Sequence, residues 1–457
     1  MTNPLTWMIA GSALLLFACS SLRHALFQSN AFDLGWFDQA VYLISQGQNP
    51  IVSIGGFHIL GDHGAWIFYP LALLYKIYPD VHWLFAVQAI ALAIGALPTF
   101  HLARQAGLKE SQAIAMAAVY LLYPLVFNVN LFDFHPEVIA LPLLLGAILA
   151  AQLGRVGAFC IAIAFILGCK AVLALTVAAM GFWLLVFEKR RWCGVIALFA
   201  GVAWFLIATQ WMIPFFSGRE AAAVGRYAYL GNSVLEIAQN LLFKPGLVLG
   251  KVFSLNTLEY LGLLVLPVIW GLSPQHLTPL VVAVPTLALN ILSESPSQRN
   301  LVHQYSLPIL PFLLLVVIGS LAAKRAWLQN RRAIVLWALI AFLTLAKYGY
   351  FGTKYLETGD TREATREAIA QIQSKGGVLV PSQVAPHLSH RPLVKLAIAG
   401  SESAELTPFE YVFLNLRHPG FGSTPQVVIS LLERLKKMPE FQLTYQRDDV
   451  FLFRKKP

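Results

Sequence analysis

Charged residues are scarce in this chain. Only 12% of the 457 residues are Asp, Glu, Lys or Arg, whereas 57% are hydrophobic and the mean hydropathy is +0.65. Soluble domains carry about 25% charged residues, so an ordinary water-soluble globular protein is excluded. Many apolar runs approach the roughly 20 residues that a helix needs to cross a bilayer. The composition therefore predicts an integral membrane protein with many spans.

Cysteine is also scarce. The four residues, Cys19, Cys160, Cys169 and Cys193, lie in or beside apolar runs without metal-type spacing, which favours buried thiols over a disulfide framework. The apolar run at residues 5–22 lacks the basic start and the small-residue cleavage site of a signal peptide. We expect this run to be retained as the first helix.

Eleven apolar stretches of spanning or near-spanning length follow one another within residues 1–350. They are residues 5–22, 82–104, 111–127, 137–153, 156–170, 171–187, 192–215, 257–272, 277–292, 304–323 and 332–350. Residues 64–79 are apolar but short and aromatic, which is typical of a re-entrant or interfacial segment. The sequence thus predicts an α-helical polytopic protein with about eleven transmembrane helices.

Basic residues in alternate short loops predict the orientation of these helices. Such loops contain Arg104 and Lys109, Arg155, Lys189-Arg190-Arg191, and Lys324 to Arg332, and the positive-inside rule places them in the cytoplasm. The loops at residues 23–81, 128–136, 216–256 and 293–303 are then outside. Most of the formal net charge of +10 lies in residues 1–350, where it reports topology and lipid contact, so no nucleic-acid partner is expected.

From Tyr355 the composition becomes that of a small soluble domain. Helical patterns fit residues 361–374 and 424–438, and strand-like runs fit residues 378–380 and 411–414. A terminal hairpin fits residues 441–454. We predict a membrane domain at residues 1–350 and an α/β domain at residues 351–457, which eleven spans would place on the extracytoplasmic side of the cell membrane.

Two carboxylates, Asp33 and Asp38, follow the first span closely. A carboxylate at the membrane–water boundary suits a general base that activates an acceptor hydroxyl, or a metal ligand. The alternative for Asp33 is an N-cap of a helix at residues 34–46, whose apolar stripe would lie along the membrane surface. The alternative for Asp38 is a solvated polar face.

A second polar group on the same loop contains His58, Asp62 and His63. An Asp-His pair between glycines suits a tight turn that presents polar groups to a cavity, where histidine binds a metal or orients a phosphate. The alternative is an interfacial loop that is polar because it is wet. These groups are compatible with a divalent cation, but no spacing specifies one, and the cofactor is left as unknown.

A third group, Asp133, His135 and Glu137, precedes a predicted span. Residues before a proline avoid the helical region, so residues 133–135 should be extended, with Asp133 and His135 on one side and both flanking phenylalanines on the other. Ionisable groups at the mouth of a span are costly unless they are used. The alternative is a polar helix start.

Three cations complete the set of candidate residues. Lys170 lies between two apolar runs and needs a carboxylate partner or a watery cavity. Arg219 and Arg226, on the predicted outer loop 216–256, suit a lipid-linked phosphate, but lipid head groups would serve them equally well.

Five short motifs carry a resemblance to a known family. They are Phe32-Asp33-Leu34-Gly35, Gly61-Asp62-His63, Leu97-Pro98, the run from Phe132 to Glu137, and Pro386-His387-Leu388 with Arg391. Together they resemble the bacterial membrane proteins grouped as domain-of-unknown-function family 2079. That family often has a Lys-Glu-Asp run in the middle of the chain, whereas here Lys170 is followed by Ala171-Val172.

The layout of that family is similar to the C-type (GT-C) glycosyltransferases, which use polyprenyl-phosphate sugars as donors. The resemblance implies Asp33 as the base with Asp38 assisting, and a membrane lipid, the polyprenyl-phosphate sugar, as partner. It also implies that Asp133, His135 and Glu137 line the cavity and that Arg219 or Arg226 meets the donor phosphate. Fold-level analogy sets an expectation only.

Two other classes of function stay open at this stage. A transporter or flippase for a lipid or small solute would need polar residues within the spans and inverted repeats, and only Lys170 is prominent there. A non-catalytic assembly factor would use the C-terminal domain as a binding surface. It would not need the acidic clusters. The sequence does not specify the oligomeric state.

Overall fold

The computed structural model describes residues 4–220 and 222–456, which are mostly helical. The α-helices are Pro4–Ala25, Trp36–Ser45, Leu60–His63, Phe68–Ile77, His82–Ile94, Ala96–Gln105, Glu110–Leu121, Pro124–Asn130, Glu137–Gln152, Val156–Cys169, Leu173–Val186, Arg191–Ile207, Ile213–Ser217, Val234–Phe243, Pro245–Val252, Leu255–Val265, Val284–Leu292, Leu310–Ala322, Arg331–Leu345, Arg362–Ala370 and Pro425–Lys437. Two π-helical segments, Ala31–Gly35 and Ala208–Met212, and several short 3₁₀ turns lie between them.

Within the described residues, five helical stretches are long and apolar enough to cross a membrane. They are Pro4–Ala25, His82–Gln105, Arg191–Ser217, Gln304–Ala322 and Arg331–Leu356. Two bent pairs reach that length together, namely Glu110–Leu121 with Pro124–Asn130 and Pro245–Val252 with Leu255–Gly271. Shorter apolar helices cover the four other predicted spans. A helical membrane protein with several apolar spans is thus confirmed, while the count of eleven crossings stays a prediction.

The described residues form two compact units. The helical unit contains residues 4–17, 60–67 and 86–347, and the sheet unit contains residues 18–59, 68–85 and 348–456. The division into residues 1–350 and 351–457 stays a prediction. The structure adds that much of the first predicted outer loop packs in the same unit as the C-terminal residues.

Glycine allows close helix packing within the helical unit. The helices Leu173–Val186 and Arg191–Ile207 approach each other at Gly201. A Cβ atom added at Gly201 would lie 2.5 Å from the backbone nitrogen of Ala178 and 2.6 Å from the carbonyl oxygen of Ala174. Small residues at such contacts let the backbones of membrane helices meet, and they hold this helical hairpin together.

The sheet unit contains a two-stranded and a five-stranded sheet. The strands are β1 (Ile51–Val52), β2 (Phe57–His58), β3 (Gly377–Val380), β4 (Val394–Leu396), β5 (Phe409–Asn415), β6 (Phe441–Arg447) and β7 (Val450–Lys455). The larger sheet has the order β4-β3-β5-β7-β6, in which β3 is parallel to β4 and β5 and the other pairs are antiparallel. The predicted terminal hairpin is β6-β7.

Alternating side chains of this sheet enter two apolar cores. Val378 and Val380 face the helix Arg362–Ala370, whereas Leu379 faces the helix Pro425–Lys437. Because successive residues of a strand point to opposite faces, one strand supplies both cores. The two helices that the sequence predicted in this region therefore cover opposite faces of the sheet.

The helix after the first span departs from its prediction. Asn30, not Asp33, caps its start, because the Asn30 side chain accepts a hydrogen bond from the backbone N–H of Phe32 at 2.9 Å. Residues 34–41 are all buried, whereas the sequence predicted a single apolar stripe along the membrane surface. A helix that is enclosed on all sides belongs to a protein core, so both the capping role of Asp33 and the surface location are wrong.

Candidate functional site

The first candidate site, in the helical unit, contains the predicted Asp62–His63 pair. Asp62 Oδ1 lies 3.1 Å from His63 Nδ1. The short helix Leu60–His63 packs beside Lys170, where the chain passes from the helix Val156–Cys169 to the helix Leu173–Val186. The Ala171 N–H donates to the carbonyl oxygen of His63 at 2.8 Å and holds the two segments together. Burial by itself raises the pKa of the Asp62 carboxyl, but His63, Lys170 and Arg219 outweigh it and hold that pKa below its usual value. Asp62 is therefore ionised at neutral pH.

Close backbone packing brings Arg219 toward this pair. A Cβ atom added at Gly61 would lie only 2.8 Å from the backbone of Phe216 and Ser217, so the turn needs glycine at this position. Arg219 follows two residues later and interacts electrostatically with Asp62. The sequence had marked Gly61 only as part of a tight turn.

Glu137 and Lys170 form a buried ion pair at the same site. Lys170 Nζ lies 2.6 Å from Glu137 Oε1, and the two side chains are only 13% and 5% exposed. The expectation that Lys170 needs a carboxylate partner is thus confirmed. His63 and His135 also interact electrostatically with Glu137, so these predicted residues lie around one charged centre.

The segment before Glu137 is not extended as predicted. Asp133 has a φ of 95°, in the left-handed region, and the ring of His135 stacks on that of Phe132 with centroids 5.3 Å apart. The alternation that placed histidine and phenylalanine on opposite sides is therefore wrong. Asp133 and His135 are both buried. Positive φ is unfavourable for a residue other than glycine, and such strain concentrates at functional sites.

Tyr305 lies close to two cations of this unit. The Lys170 ammonium lies 5.8 Å from the centroid of its ring, and the Arg226 guanidinium lies 5.1 Å from it. The Arg226 carbonyl oxygen accepts from the N–H of Glu294 at 2.9 Å, which fixes this part of the predicted loop 216–256.

A second group of polar residues, in the sheet unit, surrounds Asp38. This carboxylate is only 1% exposed and accepts hydrogen bonds from Tyr75 Oη and Ser389 Oγ. His390 Nε2 lies 3.0 Å from Asp38 Oδ2. None of these three partners was identified from the sequence, because they are more than thirty residues away from Asp38 along the chain.

The other predicted residues of the sheet unit are not part of that network. Asp33 is half-buried in the π-helical first turn. His58 lies in strand β2, 3.5 Å from Tyr69 Oη, and burial lowers its pKa. The predicted group His58, Asp62 and His63 is thus divided between the two units. The catalytic roles of Asp33 and Asp38 and the binding roles of the other residues stay predictions.

Side chains that could bind a metal are not clustered in the described part of the chain. Among residues 4–220 and 222–456, no group of three or more His, Cys, Asp and Glu side chains is arranged to hold a metal ion. The need for a divalent cation therefore remains as open as the sequence left it.

Solved structures share the fold of the whole chain. ArnT from Cupriavidus metallidurans bound to undecaprenyl phosphate matches with a TM-score of 0.54 and 12% identity, over 99% of this chain and 98% of that chain. The apo state of the same protein matches with a TM-score of 0.53 and 12% identity, over 97% of this chain and 98% of that chain. At this identity the likeness shows the fold alone, which is ArnT-like.

Sequence comparison identifies the family. No curated protein matches the chain. The model of one family, described as predicted membrane protein (DUF2079), matches residues 23–452. That range includes all the motifs on which the resemblance was based. The chain therefore belongs to the DUF2079 family of membrane proteins.

Proposed function

We propose that the protein is a membrane glycosyltransferase that moves a sugar from a polyprenyl-phosphate carrier to an acceptor at the extracytoplasmic face. The observation that carries this proposal is the charged centre of the helical unit. It combines an ionised carboxylate beside an imidazole, Asp62–His63, with two cations at one tyrosine ring, Lys170 and Arg226. The GT-C fold and the undecaprenyl phosphate bound to ArnT support the choice of donor.

The reaction needs both parts of this centre. The acceptor hydroxyl attacks the anomeric carbon of the sugar, and the bond between that carbon and the phosphate oxygen breaks. The departing polyprenyl phosphate gains negative charge, which Lys170 and Arg226 are suited to stabilise because cations form strong charge-assisted hydrogen bonds with phosphate. A carboxylate takes the proton that the hydroxyl loses.

Two carboxylates compete for the role of base. Asp33 is the residue predicted from the family resemblance, and it is half-buried. Asp62 is ionised and lies beside His63, which suits it equally for accepting a proton. Asp38 is less suited, because its carboxylate is buried and already accepts from Tyr75 and Ser389. We propose that Asp38 positions His390 instead.

Donor binding tests the proposal most directly. The purified protein would be titrated with a polyprenyl phosphate and analysed by native mass spectrometry, comparing the parent with Arg226→Ala. Loss of one charge-assisted hydrogen bond should weaken binding by about tenfold or more. Lys244→Ala is the matched control, since Lys244 is an exposed cation of the same predicted loop. Equal binding by parent, Arg226→Ala and Lys244→Ala would contradict the assignment.

The base is identified by the rate of sugar transfer. Loss of a general base reduces a rate by roughly 10²- to 10⁴-fold, so Asp33→Asn and Asp62→Asn are compared with the parent in reconstituted vesicles. The variant that binds polyprenyl phosphate normally but loses transfer identifies the base. Full transfer by both variants would refute the proposal, and movement of lipid across the bilayer without a new glycosidic product would favour a flippase.

A further inference from the structure

A polar pocket within the sheet unit borders the group around Asp38 and extends beyond it. It has a volume of about 310 Å³. Its lining includes four histidines, His24, His82, His387 and His390, together with Lys375 and Arg391. A volume of this order is at the lower end of the range for small-molecule sites, about 300–1,000 Å³, and is too small for a long lipid chain.

Both acidic residues that line the pocket are already engaged. Asp38 accepts from Ser389 and Tyr75, and His390 Nε2 lies 3.0 Å from it. Asp80 accepts from the His82 backbone N–H at 2.8 Å, and its Oδ1 lies 2.6 Å from His82 Nδ1. Each carboxylate is thus paired with a histidine, and within the described residues neither forms an ion pair with Lys375 or Arg391.

Arg391 is a buried cation that interacts electrostatically with Glu410 but forms no ion pair with a carboxylate within the described residues. Its side chain is only 4% exposed, and it donates from Nε to the Leu388 carbonyl oxygen at 2.8 Å and from Nη1 to the Gly376 carbonyl oxygen at 2.9 Å. Its Nη2 makes no hydrogen bond to any described residue. A buried guanidinium without a counter-ion is costly, and an anion bound in the pocket would remove much of that cost.

Lys375 adds a second cation at the rim of the pocket. Its ammonium lies 5.6 Å from the centroid of the Tyr42 ring, and within the described residues it forms no ion pair with a carboxylate. Burial and the nearby charge of Arg391 both lower the pKa of Lys375, which means that the two cations repel each other. A ligand with two negative charges would relieve this repulsion.

His387 provides a polar contact without added charge. Burial lowers the pKa of His387 to about 4, so this imidazole is neutral at pH 7, and its Nε2 is buried without a hydrogen-bond partner among the described residues. Its ring stacks on that of His24 with centroids 3.9 Å apart. A neutral imidazole suits a hydroxyl or a protonated phosphate oxygen of a ligand.

We propose that this pocket binds a small phosphorylated molecule, with the phosphate held by Lys375 and Arg391 and the remainder of the ligand against the histidines. A phosphate group carries close to two negative charges at pH 7, which matches two unbalanced cations better than a carboxylate does. The fork of the arginine guanidinium also fits phosphate oxygens well. The proposal does not depend on the sugar-transfer proposal, since the donor cations Lys170 and Arg226 and the base candidates Asp33 and Asp62 are not among the lining residues.

The test is equilibrium binding to the full chain in detergent, followed by ³¹P NMR. The probes are inorganic phosphate, a hexose phosphate and a short-chain phosphatidate, and the latter two distinguish a soluble ester from a lipid head group as the source of the phosphate. Lys375→Glu should weaken binding by about a hundredfold, because it replaces a favourable charge with a repulsive one. Lys437→Ala, which removes an exposed cation from the helix Pro425–Lys437 of the same unit, should leave binding unchanged.

Several outcomes would overturn the proposal. Absence of saturable binding of all three probes would do so, as would equal binding by the parent and Lys375→Glu. Equal affinity for acetate or a sugar carboxylate would overturn the assignment to phosphate. Arg226→Ala separates the two proposals, because loss of phosphate binding in that variant but not in Lys375→Glu would place the bound phosphate in the helical unit.

Discussion

The buried Glu137–Lys170 pair provides the sharpest prediction for stability. Its side chains are 5% and 13% exposed and are joined at 2.6 Å, and Glu137 Oε2 has no other hydrogen-bond partner among the described residues. Removing one member of such a pair leaves an uncompensated buried charge, which costs about 3–5 kcal/mol. Glu137→Gln and Lys170→Met should therefore each lower the free energy of unfolding by about that amount.

The double variant distinguishes an unpaired charge from lost packing. Glu137→Gln combined with Lys170→Met removes both charges, and replacing a buried pair by neutral groups is often close to neutral for stability. We expect the double variant to unfold within about 1–2 kcal/mol of the parent, which gives a coupling energy of several kcal/mol between the two positions.

The measurement is unfolding in mixed detergent micelles by titration with SDS. The 11 tryptophans provide a fluorescence signal for the transition. Single variants within about 1 kcal/mol of the parent would refute the reasoning, since they would show that the site is hydrated enough to accept an unpaired charge. Additive effects of the two substitutions would refute it as well, because they would show that the two charges do not depend on each other.

Three further predictions concern other parts of the chain. Gly201→Leu should lower the unfolding free energy by about 1–3 kcal/mol through overpacking, whereas Gly157→Leu, where a Cβ meets nothing within 4 Å, should not, as measured by the same titration. Asp38→Asn should destabilise by about 2–3 kcal/mol, while Asp33→Asn should stay within about 1 kcal/mol in thermal unfolding. Because the pKa of His387 is about 4 when folded, the unfolded chain binds an extra proton between pH 6.5 and 4. Stability should therefore fall by up to about 3 kcal/mol as the pH drops through that window, and His387→Gln should flatten the pH dependence of the melting temperature.

Local patterns in the sequence predicted the elements of the fold well. Each of the eleven predicted spans overlaps helical segments, because long apolar runs have few other conformations in a bilayer. The terminal hairpin was predicted from its turn, where Asp448 and Asp449 adopt positive φ values of 49° and 62°. Aspartate tolerates that conformation better than most residues, so the two aspartates indicated a turn at this position.

Contacts between segments that are distant along the chain could not be predicted from the sequence. Gln39 donates to the Arg391 carbonyl oxygen at 2.9 Å, and Ser53 donates to the Val394 carbonyl oxygen at 2.9 Å. Such contacts join the first predicted outer loop to the C-terminal residues within the sheet unit. They produce no periodic pattern in the sequence, since they depend on which surfaces meet in the folded chain. Strand β4 was not predicted because its three residues are too few to show an alternating pattern.

Asp33 and Asp38 show that a local sequence pattern does not predict the burial of a side chain. Both acids looked alike in the sequence, five residues apart in a short segment with no other charge. Folding places Asp38 at 1% exposure, where an ionised carboxylate persists only with donors around it, and Tyr75, Ser389 and His390 supply them. Asp33 keeps part of its surface free of the protein core. A base must reach its substrate, so the burial of Asp38 favours the proposal that Asp33, not Asp38, is the base candidate of the two.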